Sequence, residues 1–215
     1  MELSNARSTI SEQEQERIPP GWDYNPAAWR ERLPIILLAF VGGAIATYLA
    51  LYQYGLLSEV WEPVFGPSPD PEKNSSEFIL STDLSYPFTG LHPALRVSDA
   101  ALGAFAYYLD VVTGAIGGRA RWRTLPWMVI LFAILVGPLG LVSVLLTVAQ
   151  PVLFGQWCAL CLATAVISAL MVGPAMDEAL ASLQFMRRVY DTPEAPFWQT
   201  FWGRSRWNTL PAGAR

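Results

Sequence analysis

The chain has 215 residues, 53% of them hydrophobic and only 15% charged, with a net charge of −4. An average soluble domain carries about 25% charged residues, so this composition excludes an ordinary soluble protein and argues against a nucleic-acid partner. The first thirty residues are polar and glutamate-rich, which is wrong for a cleavable leader, so the first apolar segment is expected to stay as an anchor.

In chain order, apolar runs fall at Leu33–Tyr54, Ser98–Gly117, Trp127–Ala149 and Trp157–Met176. Each is close to the roughly 20 residues that a helix needs to cross a ~30 Å hydrocarbon core. The second is the most polar, with Asp99 and Asp110, but Ser98 or Asp99 can cap its start. The expected fold is an all-α integral membrane protein, a four-transmembrane-helix bundle. Residues 1–32 form a cytoplasmic N-terminal segment, 33–176 the membrane domain and 177–215 a cytoplasmic amphipathic, aromatic tail.

Between the first two runs lies a long loop, Gly55–Val97. Its Glu62–Glu72 stretch, EPVFGPSPDPE, is expected to be extended and solvated. Phe78–Leu80 and Tyr86–Leu95 are apolar and are expected to cap one mouth of the bundle. Asn74-Ser75-Ser76 matches a glycosylation sequon, a motif frequent by chance. Gly42-Gly43 and Gly137-Pro138-Leu139-Gly140 lie inside spans, where glycine permits a neighbouring helix to approach and proline kinks the helix. Asp110, near the far end of its span, is expected to reach an arginine of the Arg119–Arg123 link.

Orientation follows from basic residues. Of fourteen, only Lys73 and Arg96 fall in the long loop, and none falls in the Gln150–Gln156 turn. Both termini and the middle link are therefore cytoplasmic, and the long loop faces outward. Trp22, Tyr24, Trp29, Trp122 and Trp127 read as interfacial belts, and Asp177–Val189 as a short surface helix. Trp198, Trp202 and Trp207, with Arg204 and Arg206, suit the headgroup region, with protein docking as the rival reading.

The two cysteines are spaced Cys158-Ala159-Leu160-Cys161. Helical positions i and i+3 share a face, so the pair can close a disulfide at the start of the fourth span. A helix N-terminus stabilises thiolate, the species that exchanges disulfides, and the outward compartment is where disulfides persist. The bland alternative is two small apolar residues in a membrane helix. Structural zinc wants four ligands, and the sole histidine, His92, stands alone in the loop, so no metal is expected.

With WCALCLATA (Trp157–Ala165), SDAALGAFAYYL (Ser98–Leu109), ATYLALYQ in the first run and the short basic link, the chain resembles the vitamin K epoxide reductase family over Leu33 to Met176. The resemblance implies a redox-active CxxC that exchanges electrons with a quinone of menaquinone, ubiquinone or phylloquinone type. It implies that Cys161 faces the quinone and Cys158 a protein thiol, in a bacterial inner membrane. Asp99 falls where other members place an asparagine that hydrogen-bonds a quinone carbonyl; it and Trp157 are candidate cofactor contacts, Asp99 with plain helix capping as its alternative. The chain departs from the pattern in lacking the loop cysteine pair, with Ser76 near one of those positions, and in carrying Ala165 where some relatives have tyrosine. A separate thioredoxin-like extracytoplasmic protein would then reach Cys158, alongside lipid contacts. The alternative is a non-catalytic membrane subunit or assembly factor that keeps the same bundle.

Overall fold

A computed structural model describes residues 18–86 and 97–209. In order its helices are α1 (Trp29–Gln53), α2 (Ser75–Leu80), α3 (Asp99–Ala115), α4 (Arg121–Thr124), α5 (Pro126–Phe154), α6 (Ala159–Tyr190) and α7 (Phe197–Phe201), with 3₁₀ turns at Asp83–Ser85 and Arg206–Asn208. No strand occurs among the described residues; a single isolated bridge joins Pro67 to Asn74. Three helices, α1, α5 and α6, are long and apolar enough to cross a membrane. The 17-residue α3 is shorter and packs against them.

Glycine explains how closely α3 packs on α1. A Cβ on Gly42 would lie 2.7 Å from the Tyr107 ring, and one on Gly43 3.2 Å from Tyr108. These two small residues therefore let α3 settle into α1. The core continues through Ile35, Ala39, Ala46, Phe132, Val136, Ile167, Met171 and Ala175. The opposite faces of the helices stay apolar and exposed, as at Leu37, Phe40, Leu141, Leu145, Val166 and Leu170. Apolar residues on both faces are what a lipid-facing bundle requires.

Two helices run past their expected C-terminal ends, and α1 starts four residues early, at Trp29. The third run continues beyond Ala149 to Phe154, because Pro151 sits in a last turn that Gly155 ends at φ +64°. The expected Gln150–Gln156 turn shrinks accordingly. The fourth run does not stop near Met176; α6 passes through Pro174 and runs unbroken to Tyr190, absorbing the expected surface helix. A proline costs a helix one hydrogen bond. Here good helix formers follow it, and Glu178, Ser182, Phe185 and Val189 bury one face of the extension.

That extension anchors a second cluster with Ala27, Trp122 and Met186. Trp122 is not a belt residue: it is 1% exposed, edge-on to Phe185 at 5.8 Å, with its carbonyl accepting the Ser182 hydroxyl at 2.7 Å. The tail docks here too, through Asn208 Nδ2 donating to the Arg123 carbonyl at 2.6 Å. Trp198 and Trp202 nevertheless remain exposed.

Between the clusters lies a buried charge group. Arg121 pairs with Glu178 and donates to the carbonyls of Thr113, Gly114 and Ile116 at 2.6, 3.1 and 3.0 Å. Arg32 donates to the carbonyls of Gly114, Ile116 and Gly117. The last carbonyls of a helix have no partner within it, and these two guanidinium groups supply partners for α3. The expected contact between Asp110 and an arginine is therefore absent: Arg121 turns to Glu178, and Asp110 Oδ1 is buried without a hydrogen-bond partner.

Candidate redox site

Cys158 and Cys161 form a disulfide, with their Cα atoms 5.2 Å apart. Gly155 ends α5, three residues turn the chain, and Cys158 becomes the N-cap of α6. Its Sγ accepts the Cys161 N–H at 3.1 Å, one of the donors a helix start leaves open. Its own N–H donates to Gln150 Oε1 on α5 at 3.1 Å. The helix start thus fixes both sulfur atoms.

The two sulfurs face different surroundings. Cys161 lines a cavity of about 250 Å³, whereas Cys158 is fully buried. Mostly apolar walls come from α1, α3, α5 and α6, through residues such as Ala46, Leu102, Val136 and Leu146. Leu80 of α2 lines it as well. Asp99 and Asp110 lie on one helix within this cavity, about 16 Å apart along the axis. Between them, the Tyr107 hydroxyl donates to the Thr164 carbonyl at 2.8 Å and lies 2.6 Å from Ser168 Oγ.

Ser98 supplies the helix cap, accepting the Ala101 N–H at 3.1 Å. That leaves Asp99 to accept from Gln53 Nε2 at 3.0 Å, across to the end of α1. Trp157 does not line the cavity. It stacks on Phe65, centroids 6.1 Å apart, and its carbonyl accepts the Ser75 hydroxyl at 2.5 Å. The structure therefore brings Cys161 and Asp99 to one cavity and turns Trp157 away from it.

The 60–86 segment packs on the residues that flank Cys158, with Ser75 on Gln156 and Trp157 and Glu62 on Ala159. Its proline-rich part is not simply solvated, because Glu62 turns inward. Glu62 Oε1 accepts the Val64 and Phe65 N–H groups at 3.0 Å each, and Oε2 accepts the Ser76 hydroxyl and the Ala159 N–H, the latter at 3.1 Å. Burial pushes this carboxyl up, but hydrogen bonds from Ser76 and from the Phe65, Ala159 and Val64 N–H groups outweigh it and hold it below its usual value. Asn74 and Glu77 form a capping box that starts α2. Of the segment expected to cap the bundle, Ile79 and Leu80 are buried and Leu80 lines the cavity; Pro87–Leu95, with His92, lies outside the described residues. Sequence reasoning missed Glu62, Gln53 and Gln150, which no spacing marks. Ser75 stands one residue from the position that the resemblance singled out.

Together these features define an all-helical membrane protein in which a CxxC disulfide closes one end of an apolar cavity. The vitamin K epoxide reductase family model matches residues 33–175, and the chain belongs to that family. No curated protein and no solved structure matches it. Family membership brings membrane thiol–disulfide oxidoreduction as the general chemistry, and quinones as the cofactors that family enzymes use.

Proposed function

We propose that the protein is a thiol:quinone oxidoreductase that oxidises protein dithiols through Cys158 and Cys161. One observation carries the reading: Cys161 of a CxxC disulfide lines an apolar cavity that Asp99 also lines. In this reading α3 is a fourth span, both termini are cytoplasmic, the disulfide end faces outward, and the membrane is a bacterial inner membrane. Exposed Trp198 and Trp202 then meet the headgroups, while the rest of the tail holds to the protein.

The cavity suits a quinone headgroup. An apolar cavity of about 150 Å³ already takes a benzene ring, and this one is about 250 Å³. Cys161 and Asp99 would hold the ring at one end, and the unpartnered Asp110 oxygen leaves a polar atom for a ligand to meet at the other. When bound, the quinone supplies a sink for the two electrons and two protons that a dithiol loses on becoming a disulfide.

The chain's own residues perform the exchange. A partner thiolate attacks Cys158, the Cys158–Cys161 bond breaks, and Cys161 leaves as thiolate facing the cavity. The partner's second thiol then displaces Cys158, leaving the partner oxidised and the pair reduced. Because Cys158 is fully buried and the 60–86 segment packs on the residues flanking it, that segment has to move before a protein thiol can reach it.

The test is thiol alkylation of purified, reduced protein with and without added menaquinone or ubiquinone. Quinone should return both cysteines to the protected, oxidised form, and Cys161→Ser should trap a partner on Cys158. Dithiols that stay alkylatable in quinone, with no adduct recovered, would sink the reading.

A further inference from the structure

Outside the cavity, the carboxylate of Glu62 sits at the first turn of α6. Four donors hold it, and one of them is the N–H of Ala159, the residue next to Cys158. Helix N-termini lower thiol pKa values because their open N–H groups and positive dipole end favour thiolate. In this chain one such N–H already serves a carboxylate, while Cys161 N–H serves the Cys158 sulfur. A negative charge fixed at the helix start opposes a second one forming beside it.

We propose that Glu62 is a positioning residue that holds the Cys158 thiol protonated once the pair is reduced, making the dithiol a stronger electron donor. The inference rests on the thiol:quinone reading for its purpose, but its chemistry concerns the reduced protein alone. A dithiol–disulfide couple is strongly oxidising when its thiolate form is stabilised. Opposing that form shifts the couple the other way, toward giving electrons up.

The other groups around Cys158 leave this role to Glu62. Glu77 on α2 is turned away, accepting the Val60 and Asn74 N–H groups at 2.8 and 3.0 Å. Lys73, the one basic residue between Gly55 and Tyr86, pairs with Asp70 at 3.4 Å. Gln150 on α5 is neutral. Asp99 on α3 lies on the cavity side with Cys161 and is engaged by Gln53.

The experiment is a pH titration of thiolate ultraviolet absorbance in full-length protein carrying Cys161→Ala, so that Cys158 is the only thiol. Glu62→Gln, which keeps the shape and loses the charge, should lower the midpoint by about one unit, tenfold in thiolate. Glu62→Asp should restore most of the difference. Ser76→Ala removes a donor from the carboxylate, leaves its charge less satisfied and should move the midpoint up. Ser75→Ala loosens the same segment without touching charge and should leave the midpoint in place. An unchanged midpoint in Glu62→Gln, or an equal fall in Ser75→Ala, overturns the proposal. No quinone or partner enters this titration, so failure of the thiol:quinone reading would show separately, as absent reoxidation of wild-type protein.

Discussion

Glu178→Ala isolates the buried charge group from the redox chemistry, because it lies far along α6 from the cysteines. Both Glu178 and Arg121 are 1% exposed, so the substitution strands a buried guanidinium. Breaking such a pair costs about 3–5 kcal/mol. Arg121 keeps its three carbonyl acceptors at Thr113, Gly114 and Ile116, which places the cost near the lower end. About 3 kcal/mol corresponds to a fall in Tm of roughly 6–12 °C for a chain of this size. The assay is thermal unfolding of the detergent-solubilised protein, followed by tryptophan fluorescence. Replacing both partners with Arg121→Met and Glu178→Leu should recover most of the loss, since apolar isosteres remove the stranded charge. A Glu178→Ala shift under about 2 °C, equivalent to less than about 1 kcal/mol, would show that the pair is not the buried tie between α3, α4 and α6 described above.

Further expectations concern the site. Ser143→Phe and Ala100→Phe project rings into the cavity and should slow quinone-dependent reoxidation roughly tenfold or more by filling ligand space; dithiothreitol should still reduce the disulfide at its normal rate, and equal loss in both assays would contradict the assignment. Cys158→Ala with Cys161→Ala should abolish dithiol oxidation in membranes, and full activity in that variant would favour the non-catalytic subunit reading. The Glu62 carboxyl is held below its ordinary value, so its tie to Ala159 and Ser76 stabilises the closed segment above the ordinary carboxylate pKa of about 4.3 and is lost as pH falls through the lower folded value. Disulfide reduction by a water-soluble phosphine, with the rate referred to the unprotonated fraction of the phosphine, should therefore accelerate in acid, and Glu62→Gln should show the faster rate already at neutral pH. Gly42→Val should crowd the Tyr107 ring, loosen α3 from α1 and lower Tm; an unchanged Tm would mean that the ring has room to swing aside.

Hydrophobic runs made much of this fold legible. A membrane helix must be apolar over its whole length, so α1, α5 and α6 could be read with no knowledge of their neighbours. The CxxC spacing likewise placed two sulfurs on one helical turn, where the disulfide is found. Other features depended on partners distant in sequence. Trp122 reads as an interfacial residue until Phe185, 63 positions later, covers it. Arg121 had Asp110 as its nearest intramembrane acid in sequence, yet geometry delivers Glu178 from α6. The fourth run reads as ending near Met176, because apolar length cannot weigh the tertiary packing that holds the following turns helical to Tyr190. Glu62 sits in a proline-rich stretch whose composition suggests water, and only the fold reveals the N–H of Ala159 waiting for it.

The continuity of α6 has a practical consequence. Its 32 residues make a rod of about 48 Å, with the sulfur atoms in the opening turn and the Trp122–Phe185 packing near the other end. Fusion partners, affinity tags or crosslinks placed after Asn208 therefore load a tail that is docked on the same rod that seats the disulfide. The Pro69–Glu72 bend is no better a place for a reporter, because Glu62 and Ser75 on either side of it tie that segment to the same opening turn.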